Sequence, residues 1–316
     1  MMENYTYNSF TLQMEGFKVS EEYMIPLFFF FLSSYIFLVI TNVFVLVLVV
    51  GDKNFHQPMY LLFCNLSVSD LIGGTCIIPR LLADLVLLPP ERFISYYECV
   101  AQAFSVQLFG TTSHTVLMIM AFDRYVAICD PLRYGAIMTK RMIIKLTVSA
   151  WAVPFVLVGI LIGLSVRLSR CRTLISGPFC DNASLFKLSC ESVFINNVYG
   201  LTYTVVLFVF SLGCITITYI RILLVCLTKK NKSLSSKALK TCSTHLVVYV
   251  IMMFSGNIQI ILHRFPQYKD YVKVSGILFT IVPGSLNTVI YGVQSKEIRQ
   301  FFSNKLQCNS LKPDKI

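Results

Sequence analysis

The sequence predicts an all-α membrane protein, in which seven transmembrane helices form a bundle and a short amphipathic helix follows the seventh. Hydrophobic residues make up 55% of the 316 residues and charged residues only 14%, whereas a soluble domain has about 25% charged residues. The apolar residues gather in seven stretches, each long enough for a hydrocarbon core that requires about 20 apolar residues. These predicted spans cover residues 24–50, 58–88, 99–128, 143–166, 195–227, 240–263 and 271–293.

The spans divide the chain into three regions. Residues 1–23 form an extracellular segment, residues 24–293 the seven-helix domain, and residues 294–316 a cytoplasmic tail that contains the amphipathic helix. The first segment is polar and acidic and lacks the basic start and apolar core of a cleavable signal peptide. We therefore expect the first span to act as its own insertion signal.

The distribution of charge predicts the orientation in the membrane. The loops on one side hold 16 Lys or Arg and 5 acidic residues, so the whole net charge of +11 lies there. The positive-inside rule places that side in the cytoplasm and the N-terminus outside. We expect a multi-pass protein of the plasma membrane, whose basic inner face meets anionic membrane lipid and an acidic intracellular partner, and not nucleic acid.

Cysteines and sequons mark the predicted outer face. Sequons begin at Asn4 and Asn182, so both are predicted glycosylation sites. Four of the eleven cysteines lie on the same side, where thiols can oxidise, and four cysteines allow three pairings. These four are Cys99, Cys171, Cys180 and Cys190.

Four motifs stand at the ends of the spans. The second span opens with PMYLLFCNLSVSD, the third ends with MAFDRYVAIC before DPLRY, the sixth begins with KALKTCSTHL and the seventh ends with PGSLNTVIYG. This set resembles the odorant receptors, a large branch of the rhodopsin-like G-protein-coupled receptors, and its general character is similar to the fish members. The resemblance covers almost the whole chain, and the extension of Asp-Arg-Tyr into VAICxPLRY is highly specific to this branch.

The resemblance implies a receptor and not an enzyme. Such a receptor needs no cofactor, binds a small-molecule odorant in the outer half of the bundle, and activates a heterotrimeric G protein of the stimulatory type that raises cAMP. It also implies that Cys99 pairs with Cys180, which leaves Cys171 with Cys190. The residues it assigns to coupling and activation are Asp123, which holds Arg124 in the inactive state, together with Tyr125 and Tyr291.

Asp70 lies about 18 Å along the second span from Pro58, near the middle of the membrane. A carboxylate at that depth is costly and is a functional candidate by default. The resemblance implies a polar site with Asn42 and Asn287 that holds sodium or changes protonation during activation. A hydrogen-bonded structural node is the alternative. Thr288 stands where the family usually has proline.

The outer half of the third span, residues 100–111, carries no charge. A desolvated ammonium would need a carboxylate partner there, so the sequence predicts a small neutral ligand, which the resemblance places against Gln107 and Asn257. An anionic ligand is the alternative, because Arg80, Arg167 and Arg264 lie near the outer rim, and interhelical hydrogen bonding is the alternative role of the two amides. Helical spacing places Val106, Gln107, Gly110 and Thr111 on one face of the third span. The resemblance sets that face against the other residues of the predicted ligand site, Tyr199, Thr202, Asn257, Ile260, Ile277 and Thr280.

The other conspicuous polar residues receive simpler interpretations. Arg80 and Asp84 are four residues apart and predict an ion pair on one helix face, and His114 is most simply a packing residue. Basic and apolar residues in 296–306 are spaced as in an amphipathic helix that lies on the inner leaflet. Cys308 beyond it is a candidate for palmitoylation.

Two other classes of membrane protein compete with a receptor. A secondary transporter of a small solute is the main alternative, but it predicts internal repeats and helices broken near the midplane, and no repeat is visible. An enzyme needs a nucleophile with a base or clustered metal ligands. The four histidines, His56, His114, His245 and His263, are too dispersed along the predicted spans to predict a metal site.

The orientation predicts a glycan on Asn4. Glycosidase treatment should increase the gel mobility of the expressed protein, and Asn4→Gln should abolish most of that change, because glycans are added only on the outer side. A protease-protection map that placed the N-terminus in the cytosol would contradict the orientation.

Overall fold

A computed structural model describes residues 7–17, 20–228, 232–262 and 269–294. Seven long helices and two short ones form within these ranges, and each predicted span is confirmed as a long helix. Asn4, Arg264, His263, Cys308 and the predicted amphipathic helix lie outside the described residues. The helices are α1 Glu21–Gly51, α2 Pro58–Val86, α3 Tyr96–Cys129, α4 Tyr134–Ile137, α5 Lys140–Val166, α6 Asn182–Lys187, α7 Phe194–Thr228, α8 Lys232–Leu262 and α9 Lys269–Gln294.

The long helices differ in how apolar they are. Helices α1, α2, α5 and α7 and the stretch Lys273–Ile290 of α9 are long and apolar enough to cross a membrane, and α8 contains a shorter apolar stretch at Cys242–Ile258. Helix α3 is long but is not apolar enough to be counted with them. It contacts α2, α5, α7 and α8, so protein rather than lipid surrounds it. A helix in that position can carry polar side chains, because they face the interior of the bundle.

Helix α9 completes the bundle, because it packs against both α1 and α2. Lipid tails are as apolar as leucine, so helices in a membrane associate through close packing rather than through the hydrophobic effect. Gly73 allows such an approach between α2 and α3, because a Cβ at this position would lie 2.6 Å from the Phe109 ring. Gly284 does the same for α9, where a Cβ would meet a Leu38 methyl group at 3.0 Å.

A three-stranded sheet lies over the outer end of the bundle, and the sequence did not predict it. Strand β1 (Thr11–Met14) lies between β2 (Phe93–Ser95), which is antiparallel to it, and β3 (Leu174–Ile175), which is parallel to it. Arg92 beneath the sheet donates hydrogen bonds to the carbonyls of Leu87, Glu15 and Phe17. Residues of the N-terminal segment therefore join both outer loops.

Two disulfides hold the long loop between α5 and α7. Cys99 at the start of α3 is bonded to Cys180, with Cα atoms 5.3 Å apart, and Cys171 is bonded to Cys190, with Cα atoms 5.9 Å apart. The loop is also attached to α3 by Arg170, whose guanidinium lies 3.5 Å from the centre of the Tyr96 ring. The second outer loop is thus fixed above the helices at several points.

Peptide mapping under non-reducing conditions should recover Cys99 linked to Cys180 and Cys171 linked to Cys190. The second bond closes a loop of 19 residues, for which the chain-entropy model gives about 3 kcal/mol of stability. Cys76, which has a free thiol, serves as the internal control and should appear alkylated. A peptide linking Cys99 to Cys171 would show that the pairing is wrong.

Candidate functional site

A cavity of about 360 Å³ opens in the outer half of the bundle, within the range of small-molecule sites. Helices α3 and α7 form two of its walls, and the loop containing α6 covers it. Its lining is largely apolar with a few polar side chains. The lining residues are Val106, Gln107, Gly110, Thr111, His114, Leu161, Asp181, Asn182, Ala183, Phe186, Lys187, Val193, Asn196, Asn197, Gly200, Leu201, Tyr203, Thr204, Leu207, Phe208, Gly256 and Phe279.

The α3 wall contains all four residues that the sequence analysis placed there. Val106, Gln107, Gly110 and Thr111 share one helical face because they are separated by one, three or four positions, and His114 continues that face toward the membrane centre. The Thr111 hydroxyl is hydrogen-bonded to the Tyr203 hydroxyl of α7. This bond ties the α3 wall to the α7 wall inside the cavity.

Helix α7 presents a different face from the predicted one. Gly200, Tyr203, Thr204 and Leu207 line the cavity, whereas Tyr199 turns to α5, where its hydroxyl donates to the Leu157 carbonyl at 3.2 Å. Thr202 is exposed on the outside of the bundle. The predicted face is therefore displaced by about one residue from the observed one.

The predicted residues of α8 and α9 also lie away from the cavity. Asn257 donates from Nδ2 to the Met253 carbonyl of its own helix at 2.8 Å, and its neighbour Gly256 lines the cavity instead. Ile277 packs in a separate cluster with α2 residues, and the Thr280 hydroxyl donates to the Gly276 carbonyl. Phe279 lines the cavity in their place. The side chain of Ile260 lies outside the described residues.

The loop that covers the cavity was missing from the predicted site. Asp181 caps α6, because its Oδ1 accepts hydrogen bonds from the N–H and the hydroxyl of Ser184 at 2.7 and 2.6 Å. The preceding residue, Cys180, is bonded to α3, so α6 begins directly over the α3 wall. An aspartate followed by a short helix-forming run is the one sequence signal that could have indicated this element.

The structure changes the interpretation of the Asn182 sequon. The Asn182 side chain lines the cavity and is only 7% exposed, and its Oδ1 accepts a hydrogen bond from the Ser165 hydroxyl at 2.7 Å. A glycan on Nδ2 would have to occupy the cavity. The burial of Asn182 therefore argues against a glycan at this position, and a sequon alone carries no information about burial.

A polar group lies at the floor of the cavity. The Ser211 hydroxyl lies 3.5 Å from His114 Nδ1 and 2.9 Å from the Tyr249 hydroxyl, and the His114 ring packs edge-on against Phe208 and Tyr249. These side chains come from α3, α7 and α8. His114 is thus a packing residue, as predicted, that also connects the cavity wall to α8.

Asp123 and Arg124 are paired at the inner end of α3. Arg124 Nη2 lies 2.5 Å from Asp123 Oδ2, and the Tyr134 hydroxyl donates to the other carboxylate oxygen at 2.8 Å. Burial, together with the neighbouring Asp123 carboxylate, raises the pKa of Tyr134, so its hydroxyl remains a donor. Tyr125 packs beside Ile222, Cys226 and Cys242.

A second contact closes the inner end of the bundle. The Tyr219 hydroxyl of α7 is hydrogen-bonded to His245 Nδ1 of α8, and Tyr219 packs against the same cluster of Ile222, Cys226 and Cys242 as Tyr125 does. The side chain of Tyr291 lies outside the described residues. The inner ends of α3, α7 and α8 are therefore packed together in this conformation.

Asp70, Asn42 and Asn287 converge in the middle of the bundle. Asn287 Nδ2 donates to Asp70 Oδ2 at 2.9 Å, and Asn42 Nδ2 donates to the Gly284 carbonyl at 3.1 Å. The Oδ1 atom of each of the three is buried without a hydrogen-bond donor among the described residues. Oxygen atoms of this kind are the ligands of hard cations, so the donor set fits the sodium ion that the resemblance implies.

The remaining predicted pair lies at the outer end of α2. Arg80 Nη2 lies 3.0 Å from Asp84 Oδ1 and also donates to the Phe93 carbonyl at 2.5 Å. The i, i+4 spacing therefore produces the expected ion pair. Neither residue lines the cavity between α3 and α7.

The seven-helix bundle, the paired Asp123 and Arg124 at its inner end and the outer cavity define the class of G-protein-coupled receptors. A family model described as olfactory receptor matches residues 31–308. Mouse olfactory receptor 8G17 is 32% identical over 295 residues, which cover 93% of this chain and 95% of its own length. Human olfactory receptor 10J1 is 31% identical over 285 residues, which cover 90% and 88%, and chicken olfactory receptor-like protein COR4 is 31% identical over 303 residues, which cover 95% and 96%.

The chain belongs to the olfactory receptor family. Membership confirms a multi-pass membrane receptor of the G-protein-coupled class, and it confirms that the protein is not an enzyme. The transporter alternative is accordingly set aside.

Proposed function

We propose that this receptor lies in the plasma membrane with its N-terminus outside, binds a small neutral organic odorant in the cavity between α3 and α7, and thereby activates a heterotrimeric G protein of the stimulatory type. The observation that carries the proposal is the cavity itself. It is roofed by a disulfide-held loop and lined by the uncharged outer face of α3. Its size and mixed lining suit a small organic molecule.

The charges around the cavity favour a neutral ligand over the anionic alternative. Arg80 and Arg167 do not line the cavity, and Arg80 is already paired with Asp84. Among the described residues, the lining has one carboxylate, on Asp181, and one ammonium group, on Lys187. The Asp181 carboxylate caps α6. Because the charges of Asp181 and Lys187 are opposite, these two residues give the site no formal net charge.

Coupling to the G protein requires a connection from the cavity to the cytoplasm. Ligand contact with His114 acts on Ser211 and, through it, on Tyr249 of α8. A ligand that binds an open arrangement of α8 more tightly shifts the population toward it. Opening separates α8 from Tyr219 and releases Arg124 from Asp123 to meet the G protein. Anionic lipid and the acidic surface of the G protein then face the basic inner side of the receptor.

The polar site at Asp70 belongs to the same proposal. Asp70, Asn42 and Asn287 would hold a sodium ion through their Oδ1 atoms, which accept no hydrogen bond from any residue that the structure describes, and the ion would supply a positive charge that balances the Asp70 carboxylate. Because Asn42 and Asn287 link α1, α2 and α9, a movement of α9 would change this oxygen set. The site is therefore suited to stabilise one arrangement of the bundle.

An odorant panel applied to cells that express the receptor, with surface level measured, tests the function through cAMP. Once an agonist is found, Gln107→Leu should raise its half-maximal concentration by about tenfold, equivalent to about 1.4 kcal/mol, because Gln107 supplies an amide to the cavity wall. Thr202→Val, on the exposed face of α7, is the control and should respond like the parent. Equal responses of the Gln107 variant and the parent would remove Gln107 from the site.

Arg124→Ala should abolish agonist-dependent cAMP at an unchanged surface level, because the guanidinium that meets the G protein is lost. Ligand binding should persist, since Arg124 lies at the opposite end of α3 from the cavity. Arg141→Ala, which changes an exposed inner arginine, is the matched control and should retain signalling. Unchanged cAMP in the Arg124 variant would exclude that residue from the mechanism.

A further inference from the structure

A polar relay joins α5, α6 and α7 at the outer end of the cavity. Asn196 Nδ2 donates to the Ser165 hydroxyl oxygen at 3.1 Å, and the Ser165 hydroxyl donates to Asn182 Oδ1 at 2.7 Å. A serine hydroxyl has a single proton to donate, so the direction of one bond fixes that of the other. The relay therefore uses Nδ2 of Asn196 and Oδ1 of Asn182.

The other atom of each amide, Asn196 Oδ1 and Asn182 Nδ2, takes no part in the relay. Asn196 Oδ1 is buried and has no hydrogen-bond donor within the part of the chain that the structure describes. Asn182 Nδ2 lies beside Gly200, 3.9 Å from where a Cβ on that glycine would stand. Asn182, Asn196 and Gly200 all line the cavity. Each of the two cavity-lining asparagines therefore has one amide atom outside the relay, and Ser165 positions both side chains.

We propose that Asn182 and Asn196 form a subsite for a ligand group that both donates and accepts a hydrogen bond, a hydroxyl or a primary amide. The receptor then prefers alcohols and primary amides to ethers, ketones and esters of the same size. This inference rests on the proposed function of the cavity. An ether or a ketone can accept from Asn182 but leaves Asn196 Oδ1 buried without a donor, and that unmet bond is the source of discrimination.

Charged ligands fit the subsite less well than a hydroxyl does. A carboxylate would bring a second negative charge next to Asp181 and would face the acceptor Asn196 Oδ1 without a proton to donate. An ammonium group would satisfy Asn196 Oδ1 but has no acceptor for Asn182 Nδ2. A hydroxyl meets both requirements and brings no charge into a largely apolar cavity.

The relay also ties three elements together, so the ligand role has to be separated from a structural one. A purely structural role predicts that a change at Asn196 alters surface level and affects all agonists alike. A ligand role predicts a change in the ratio of responses to two ligands that differ only in the donor. The discriminating measurement is therefore a selectivity ratio within one variant.

The test uses the full-length receptor in cells, with surface level, cAMP and G-protein recruitment measured. The probes are isomer pairs: benzyl alcohol with anisole, hexanol with methyl pentyl ether, and cyclohexylmethanol with methoxycyclohexane. Benzamide, benzylamine, benzoate and acetophenone complete the panel. For responding pairs, the alcohol should have a half-maximal concentration at least about tenfold below that of its ether, which is about 1.4 kcal/mol.

Asn196→Leu should bring this ratio close to one by weakening the alcohol and leaving the ether unchanged. Asn197→Leu is the matched control, because its amide also borders the cavity but donates to the Val193 carbonyl of its own helix at 3.1 Å. That variant should keep the ratio. Ser165→Ala should reduce the ratio and Ser165→Thr should restore it, which keeps the proposal testable if Asn196→Leu does not reach the surface.

Several outcomes overturn the inference while the receptor function stands. They are equal potency of alcohols and their ethers, an equal loss for both isomers in Asn196→Leu, and activation by benzylamine alone that is lost in Asp181→Asn. Responses confined to compound classes other than alcohols and amides count the same way. If no compound of any class raises cAMP or recruits a G protein at a verified surface level, the proposed function fails, and the inference fails with it.

Discussion

The outer end of α3 is fixed to two neighbours at once, and the cavity depends on this attachment. Cys99 is bonded to Cys180, and Gln102, nearly one turn further along α3, accepts from the Cys180 N–H and donates to the Cys76 carbonyl of α2, both at 2.7 Å. One covalent bond and one side-chain amide that is hydrogen-bonded through both its oxygen and its nitrogen therefore hold α2, α3 and the outer loop in register. Residues 181 and 182 follow directly and have no freedom to leave the roof of the cavity.

Within the membrane, polar contacts specify positions more than they add stability. An interhelical hydrogen bond between side chains contributes about 0.6 kcal/mol on average in a bilayer. Trp151 Nε1, which donates to Asn65 Oδ1 at 3.0 Å, therefore orients α5 on α2 but cannot hold the bundle together. Close packing at Gly73 and Gly284 supplies the larger share, because each glycine lets a neighbouring side chain reach the helix backbone.

The sequence predicted those parts of the structure that depend on the thickness of the membrane or on the spacing of residues along a helix. Seven helices follow from the thickness of a bilayer, and the cavity face of α3 follows from helical spacing because the helix is surrounded by protein. The cavity-lining face of α7 differs by about one residue from the predicted one. Polar side chains such as Asn197, Thr202 and Thr204 stand on several sides of its outer turns, so polarity does not single out the inward face. Tyr199 and Thr202 were chosen where Gly200 and Tyr203 stand.

The outer sheet and the roof escaped sequence reasoning for a different reason. The pairs Thr11 with Ser95 and Gln13 with Leu174 join segments far apart in the chain, and strands of two to four residues are too short to show alternation. The sequon at Asn182 is a local pattern, whereas the burial of that asparagine depends on Ser165 and Asn196 in other helices. Local motifs report local chemistry and not the surroundings that tertiary structure supplies.

The contacts of α8 explain how a small neutral molecule could control a large helix. Tyr249 meets Ser211 of α7, and His245 meets Tyr219 of the same helix. These two α8 residues are four positions apart, about 6 Å along the axis, so a helix that stays rigid over one turn must break both bonds together. Each such interhelical hydrogen bond contributes about 0.6 kcal/mol on average in a membrane. A ligand that favours the open arrangement by a few kcal/mol therefore suffices to offset both and to shift the population decisively. Under the proposed mechanism, a ligand acts on the upper bond at the floor of the cavity, and the lower bond lies toward the inner end of the bundle, where Arg124 meets the G protein.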